Sequence, residues 1–313
     1  MNISIVTGGG LCLPLVHFLK QNRVNVSVFC DEGTMTKDPS SGDMLRQFCT
    51  GMQVPLHEAK YTDVYSWLKQ TKPNITFLIG YGHLIDISML EPQALLHTYN
   101  IHFGELPQYK GANPVFWQLK NGTDNLTVTI HNINHKFDDG PQVWVKHIRR
   151  EQHYTFGTAN DVLSHVTVEG VIYILNQLAS GKPVQHLPVN GGNAKYYPKP
   201  GLKDVLINWH EMTGKQIVDL VQACTPWNKG AITYYNNQPV KMLDAEIIDA
   251  PAKDEIKAGT IVNVQQQFDV VTSDGKVLRI NMLNINDNFI PGRHVSFFGF
   301  KEQAQFTNNC NTQ

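Results

Sequence analysis

The chain has no long hydrophobic run, no excess of one charge and few cysteines. Among its 313 residues, no unbroken apolar stretch reaches the roughly 18–20 residues that a membrane-crossing helix needs. No membrane partner is therefore expected. Lys and Arg number 26 against 27 Asp and Glu, a formal net charge of −1. That is a poor footprint for a protein that must neutralise phosphates along a nucleic acid. The five cysteines, Cys12, Cys30, Cys49, Cys224 and Cys310, form no CxxC pair. This argues against a zinc ribbon or disulfide framework and for a reducing, cytoplasmic setting. The N-terminus runs Met1-Asn2-Ile3-Ser4-Ile5-Val6 with no basic residues ahead of the apolar ones, so no signal peptide is expected.

Several catalytic signatures are also missing. There is no Gly-x-Ser-x-Gly elbow and no His-Glu-x-x-His, and no cysteine has a histidine close in sequence. A covalent nucleophile is not indicated. His102, His131 and His135 invite a metal reading, but the latter two flank an alternating strand and read as solvent-facing positions. No metal site is expected.

What is present is a rhythm of strand and helix. Asn2–Val6, Val24–Cys30, Ile75–Ile79 and Leu95–Ile101 read as buried strands, with helical spacing from Leu11 to Leu19, Met44 to Thr50 and Val64 to Lys69. The polar stretch from Thr34 to Asp43 reads as a loop. The pattern implies an α/β fold with a Rossmann-like, doubly wound, mostly parallel sheet. Leu126–Ile133 and Gln142–Ile148 alternate around Asp138-Asp139-Gly140 and read as an antiparallel addition to the sheet edge. Asn160–Leu178 reads as an amphipathic helix. Past an Asn/Gly/Pro-rich stretch, a short helix (Ile217–Ala223) and five short strands between Ala231 and Leu283 suggest a small C-terminal β-barrel of OB-like type. The expected organisation is a catalytic domain over 1–187, a linker over 188–203 and the barrel over 204–313.

Two places carry candidate chemistry. Gly8-Gly9-Gly10 between the first strand and helix, with Asp31 some way on, resembles part of a dinucleotide fingerprint. Leu13 stands where the third glycine belongs, so a tight strand-to-helix turn is the plainer reading. The second place is Asn100-x-His102 at a strand end, then Leu106-Pro107-x-Tyr109-Lys110-Gly111, then Phe137-Asp138-Asp139-Gly140-Pro141. Asn100 and His102 are two apart, so they point the same way on a strand. An amide can meet developing negative charge, an imidazole can take a proton, and a carboxylate beside it raises its pKa and orients it. The plain alternative is a strand end whose polar groups satisfy nearby backbone. A binding module without catalysis is a further one.

In order and spacing, Asn100-x-His102, Leu106-Pro107-x-Tyr109-Lys110-Gly111, Val128-Thr129-Ile130-His131 and Phe137-Asp138-x-Gly140-Pro141 closely resemble the 10-formyltetrahydrofolate-dependent formyltransferases. The resemblance runs from Asn2 to about Leu178. Trp209 and Thr225-Pro226-Trp227-x-x-Gly230-Ala231 are similar to the C-terminal barrel of methionyl-tRNA and aminoarabinose-nucleotide formyltransferases. The resemblance implies that Asn100 binds the formyl oxygen and stabilises the tetrahedral intermediate. It implies that His102 accepts a proton or faces the oxyanion, and that Asp138 holds the histidine. It assigns Tyr81, Gly82, His83, Leu84 and Ile85 to the folate pocket, with Asp139 and Gly140 near the pterin. The co-substrate would be 10-formyltetrahydrofolate and the acceptor a primary amine.

Some residues depart from the family pattern. Gly104-Glu105 replaces Ser-Leu, Lys110 replaces Arg, and Asp139 stands where a small residue is usual. The stretch from Asp31 to Asp38 is not basic, and residues 201–313 carry ten Lys and Arg against twelve Asp and Glu. Pro114-Val115-Phe116-Trp117 looks like the sugar-nucleotide branch. A small amine such as an amino-sugar nucleotide is therefore favoured over initiator tRNA, and a homodimer is left open.

Overall fold

The computed structural model describes residues 1–37, 39–188, 192–251 and 255–308. It divides into two compact units. One comprises Met1–Pro114, Asn125–Arg149 and Asn160–Pro198; the other comprises Val115–Asp124, Arg150–Ala159 and Lys199–Gln313.

The elements of the first half are β1 (Asn2–Thr7), α1 (Leu13–Gln21), β2 (Asn25–Asp31), α2 (Glu32–Lys37), α3 (Pro39–Gly51), β3 (Leu56–Ala59), α4 (Val64–Thr71), β4 (Ile75–Ile79), α5 (Pro92–Leu96) and β5 (Thr98–His102). Then follow β6 (Lys110–Gly111), α6 (Pro114–Lys120), β7 (Asn125–Asn132), β8 (Gln142–Arg149), α7 (Phe156–Ala179) and β9 (Tyr196–Tyr197). The main sheet has seven strands in the order β3-β2-β1-β4-β5-β7-β8. The pairs from β3 through β5 are parallel, whereas β5–β7 and β7–β8 are antiparallel. This is the expected α/β sheet with an antiparallel edge. Its central strands are buried along their length: Ile5 and Val6 on β1, Phe29 on β2, Phe77 and Ile79 on β4, and Val128 and Ile130 on β7. Strands covered on both faces read as continuous apolar runs.

Besides the short strands β3, β6 and β9, two segments of this half differ from expectation. The polar stretch from Thr34 to Asp43 is largely helical, in α2 and α3. Asp31 Oδ2 accepts from both the backbone N–H and the Oγ1 of Thr34 at 2.9 Å, so the carboxylate caps α2 as a side-chain acceptor at a helix start. Strand β5 begins at Thr98 rather than Leu95. Residues 92–96 form α5, with Pro92 at its first position and Leu95 N–H bonded to Glu91 O at 3.0 Å.

Helix α7 is the element among the described residues long and apolar enough to span a membrane by length and composition. Its Leu163, Val171 and Ile174 are fully buried. Gly170 lies so close to the sheet that a Cβ there would come within 2.6 Å of Ile130 and Trp144. In this fold the helix packs on β7 and β8.

The second unit holds α8 (Gly214–Cys224), β10 (Ala231–Tyr235), β11 (Gln238–Ile248), β12 (Ile261–Asn263), β13 (Asp269–Val271), β14 (Val277–Ile285) and β15 (Asn288–Pro291). The strands form a six-stranded antiparallel sheet with path β10-β11-β14-β13-β12, and β15 also pairs with β14. Backbone bonds from Gln303–Thr307 reach Gly259 and Ile261 on one side and Tyr234 on the other. The ends of the path are thus bridged by isolated pairs rather than a paired strand. Trp209, singled out in the sequence, is a core residue: Nε1 donates to Thr233 Oγ1 at 2.8 Å and the ring stacks on Phe306. Trp227 Nε1 donates to Ala223 O at 2.7 Å.

Candidate active site

Strand order decides where side chains can converge. The winding reverses between β1 and β4, the usual crevice of an open α/β sheet. Here that crevice is pinched: a Cβ on Gly8 would stand 2.4 Å from Gly80 O. Gly10 N–H is bonded to Ser41 Oγ and Gly9 N–H to Thr7 Oγ1. With Asp31 capping α2, the glycine run acts as the tight strand-to-helix turn.

The polar cluster lies further along the sheet, on β5 and β7. The register sets Asn100 opposite His131 and His102 opposite Thr129, so Asn100, His102 and His131 share one face. Asp138 enters from the β7–β8 turn with φ of 52°, a left-handed conformation that Asp tolerates better than most residues. Its Oδ1 receives an Asn100 Nδ2 hydrogen bond at 3.1 Å and lies 3.3 Å from His102 Nδ1 and 3.6 Å from His131 Nε2. Its Oδ2 accepts from Gly111 N–H at 2.8 Å. Three side chains therefore meet at one carboxylate oxygen.

His131 is the residue that sequence reasoning misplaced. It is 2% exposed, not solvent-facing, because β7 is covered on both faces. Its Nδ1 donates to Asn132 O at 2.7 Å, leaving Nε2 to accept from Asn100 Nδ2 at 3.1 Å. Both amide hydrogens of Asn100 are thus engaged, one by His131 and one by Asp138.

His102 is bracketed by two acceptors. Nε2 donates to Tyr109 O at 2.6 Å, and Nδ1 faces Asp138. Burial lowers the imidazole pKa and outweighs the upward pull of Asp138 and the Tyr109 carbonyl. The raised histidine pKa expected from the sequence is thus reversed in sign. Burial also works to raise the Asp138 pKa, but His102, His131 and the Gly111 N–H outweigh it and hold the carboxyl at about 2. Asp138 is the charged member of the cluster. Gly104 explains the close fit: a Cβ there would stand 2.7 Å from His102 Nε2 and 2.9 Å from Tyr109 O.

Of the remaining predicted residues, Asp139 and Gly140 adjoin this cluster, whereas Tyr81–Ile85 make their contacts with Tyr61, Asp31 and the core beside β1, β2 and β4. The Tyr81–Ile85 segment leaves the carboxyl end of β4, next to β5. His83 stacks on Tyr61 with centroids 4.2 Å apart, and its Nε2 is 3.4 Å from Asp31 Oδ2. Tyr81 donates to Tyr61 O, and its burial raises the phenol pKa. Leu84 is exposed, a Cβ on Gly82 would meet nothing, and Ile85 is buried beside Val6, Phe29 and Leu78. Asp139 pairs with Lys110. Gly140 is closely packed, since a Cβ there would stand 1.7 Å from Asn132 O. No group of three metal-ligating side chains occurs among the described residues.

Two family models match this chain: formyl transferase over residues 3–175, and formyl transferase C-terminal domain over 202–290. The chain belongs to the formyl transferase family. Among its relatives is a methionyl-tRNA formyltransferase of Kosmotoga olearia, 27% identical over 228 residues, covering 73% of this chain and 70% of that one. Another from Francisella tularensis subsp. novicida is 27% identical over 257 residues, 79% of each chain. WlaRD, a sugar 3N-formyl transferase solved in the presence of dTDP and 5-N-formyl-THF, matches with TM-score 0.68 and 16% identity, covering 90% of this chain and 97% of that chain. HypX of Aquifex aeolicus matches with TM-score 0.65 and 16% identity over 94% of this chain. The chain spans about half of HypX, 48% of its length.

Proposed function

We propose that this formyl transferase moves a formyl group from 10-formyltetrahydrofolate to the primary amine of a small acceptor such as an amino-sugar nucleotide. The observation that carries the reading is the meeting of Asn100, His102 and His131 at Asp138 Oδ1. Asn100, His102 and Asp138 are assigned to the reaction. The folate would lie against Tyr81, Gly82, His83, Leu84 and Ile85, with Asp139 and Gly140 shaping the loop beside it. The open space at Gly82, the exposed Leu84 and the flat His83–Tyr61 stack fit a planar ring. When bound, the folate supplies the activated one-carbon unit.

The residues divide the work. Asn100 offers amide hydrogens to the charge that grows on the formyl oxygen, by releasing one from His131 or sharing it. Such a donor is typically worth about 10²–10³ in rate. His102 Nε2 is held by the Tyr109 carbonyl, so the neutral ring presents an unprotonated Nδ1 toward Asp138, suited to receive a proton there or to orient the charge that develops. Asp138 keeps the amide and the imidazole in register and stabilises any proton that reaches His102 Nδ1. Holding donor and acceptor together supplies the entropic share of the acceleration.

The near-neutral balance of residues 201–313 and the sugar formyl transferase neighbours support a small acceptor. One of these neighbours, from Helicobacter canadensis, was solved with folinic acid and dTDP-3-aminofucose. It covers 89% of this chain with TM-score 0.66 and 14% identity. A second reading, methionyl-tRNA formylation, is favoured by the names of the curated relatives. The test is incubation with 10-formyltetrahydrofolate and either amino-sugar nucleotides or charged initiator tRNA, read by mass. Formylation of a sugar amine is expected; formylation of tRNA alone would move the conclusion to the second reading. Formylation of neither would sink both.

A further inference from the structure

Three consecutive residues, Tyr109, Lys110 and Gly111, reach across to the imidazole and to the β7–β8 turn. The Tyr109 carbonyl accepts a hydrogen bond from the His102 Nε2–H, the Gly111 N–H donates to Asp138 Oδ2, and between them Lys110 Nζ donates to Asp139 Oδ1. The Lys110–Asp139 pair thus spans the same two segments that carry the two acceptors of His102. Each member is the sequence neighbour of one acceptor. We propose that Lys110 and Asp139 are positioning residues whose ion pair sets the spacing of the two groups that bracket the His102 ring.

Geometry favours this over a role in stability. The Lys110 side chain is 16% exposed and that of Asp139 38%, and a partly solvated pair adds little to folding. Asp139 also has Asn134 as a hydrogen-bond partner and Lys136 nearby, so losing Lys110 does not strand its charge. The pair supplies a side-chain tie between segments that also meet through the Asp138 carboxylate on the Gly111 N–H, through His102, and, just beyond the turn, through Gln142 Nε2 on Leu106 O. A ring between a carbonyl and a carboxylate is sensitive to that spacing, since its hydrogen bond weakens steeply with distance and angle.

The proposal rests on reading His102 and Asp138 as reaction-site groups, but its first test needs no reaction. Imidazole nitrogen–proton correlation spectra of the whole chain would be recorded for wild type, Lys110→Met, Asp139→Asn, the double variant, Lys110→Arg and the charge swap Lys110→Asp/Asp139→Lys. Thermal melts would confirm folding. Wild type is expected to show a solvent-protected Nε2 proton on His102. Both single variants should lose that protection, the double variant should add nothing further, and Lys110→Arg and the charge swap should restore it.

A mere field effect predicts something different. Removing a positive charge at 110 and a negative one at 139 would then move the His102 titration in opposite directions and additively, against the fixed background of Asp138, His131 and Lys136. That pattern overturns the proposal. So does a protected proton in either single variant, or its absence from wild type. With an acceptor in hand, the single variants should lose about 10–100-fold in kcat while KM for the folate changes little, as expected for misplacement rather than lost binding. Absence of formyl transfer in wild type would count against the proposed function and leave the spectral result standing.

Discussion

Asn100 and Asp138 are joined by a hydrogen bond of 3.1 Å from amide nitrogen to carboxylate oxygen, although 38 positions separate them in the chain. The bond fixes which way the carboxamide faces, because only its NH₂ side can be set against a charged carboxylate. His131 takes the other amide hydrogen. A residue suited to stabilising negative charge is thus held ready by a negative charge of the protein's own, and that arrangement is testable.

Asp138→Asn should cut formyl transfer by about 10²-fold or more, since the side chain can no longer hold both Asn100 and His102 through a charge. Asn tolerates the left-handed backbone at this position, so the fold should survive. Steady-state kinetics beside a thermal melt would check this. A melt that collapses in step with activity would point to a structural role instead.

The pH dependence of stability follows from two pKa directions. The Asp138 carboxyl ionises lower in the folded chain, at about 2, than in an unfolded one. Its contribution, on the order of 2 kcal/mol, is full above about pH 4 and lost as pH falls toward 2. His102 has a lowered pKa from burial, so its folded ring holds a proton less readily. Stability is therefore also lost as pH drops below about 6.5. Urea melts from pH 5 to 8 should show wild type weakening toward acid and His102→Asn weakening less. Equal slopes would contradict the assignment.

Gly104→Ala should be costly for so small a change. The added methyl would meet His102 Nε2 at 2.7 Å, Pro114 Cβ at 2.8 Å and Tyr109 O at 2.9 Å. Overpacking of this kind costs typically about 1–3 kcal/mol, and the ring must move to relieve it. Both the melting temperature and the transfer rate should fall, with Gly82→Ala, at an open position, as the stability control.

His131→Leu should lower activity without touching the bracket around His102. It removes the acceptor of one Asn100 hydrogen and leaves that buried donor unmet, at a cost of about 1–3 kcal/mol. The His102 Nε2 proton should stay protected while kcat drops. Loss of that protection would show that the histidines act as one unit.

Much of the fold was legible because buried strands announce themselves. The Ile75–Ile79 run and the Asn2–Val6 run needed no tertiary information. The edge strand β3 carries only partly buried and exposed side chains, so no periodicity marked it. Helix α2 and the first turn of α3 were hidden by their polar residues, α2 resting on a capping contact from Asp31, while the spacing from Met44 to Thr50 already marked the rest of α3. His131 was hidden by alternation itself: Leu126 to His131 is buried throughout, so the in-and-out rule for a one-sided strand misassigned it. The signal that could have found it was the pairing of Asn100 on one strand with a histidine two residues past Thr129 on the next. A one-dimensional reading cannot supply that register.

The short strand β9, at Tyr196–Tyr197, pairs with Lys110–Gly111, and Tyr197 stacks on Tyr109 with centroids 5.3 Å apart. Anyone trimming this protein to a minimal catalytic fragment inherits a lower limit from that strand. Termination near residue 187 would strip the outer support from the loop whose carbonyl grips His102. A cut beyond Pro198 keeps it.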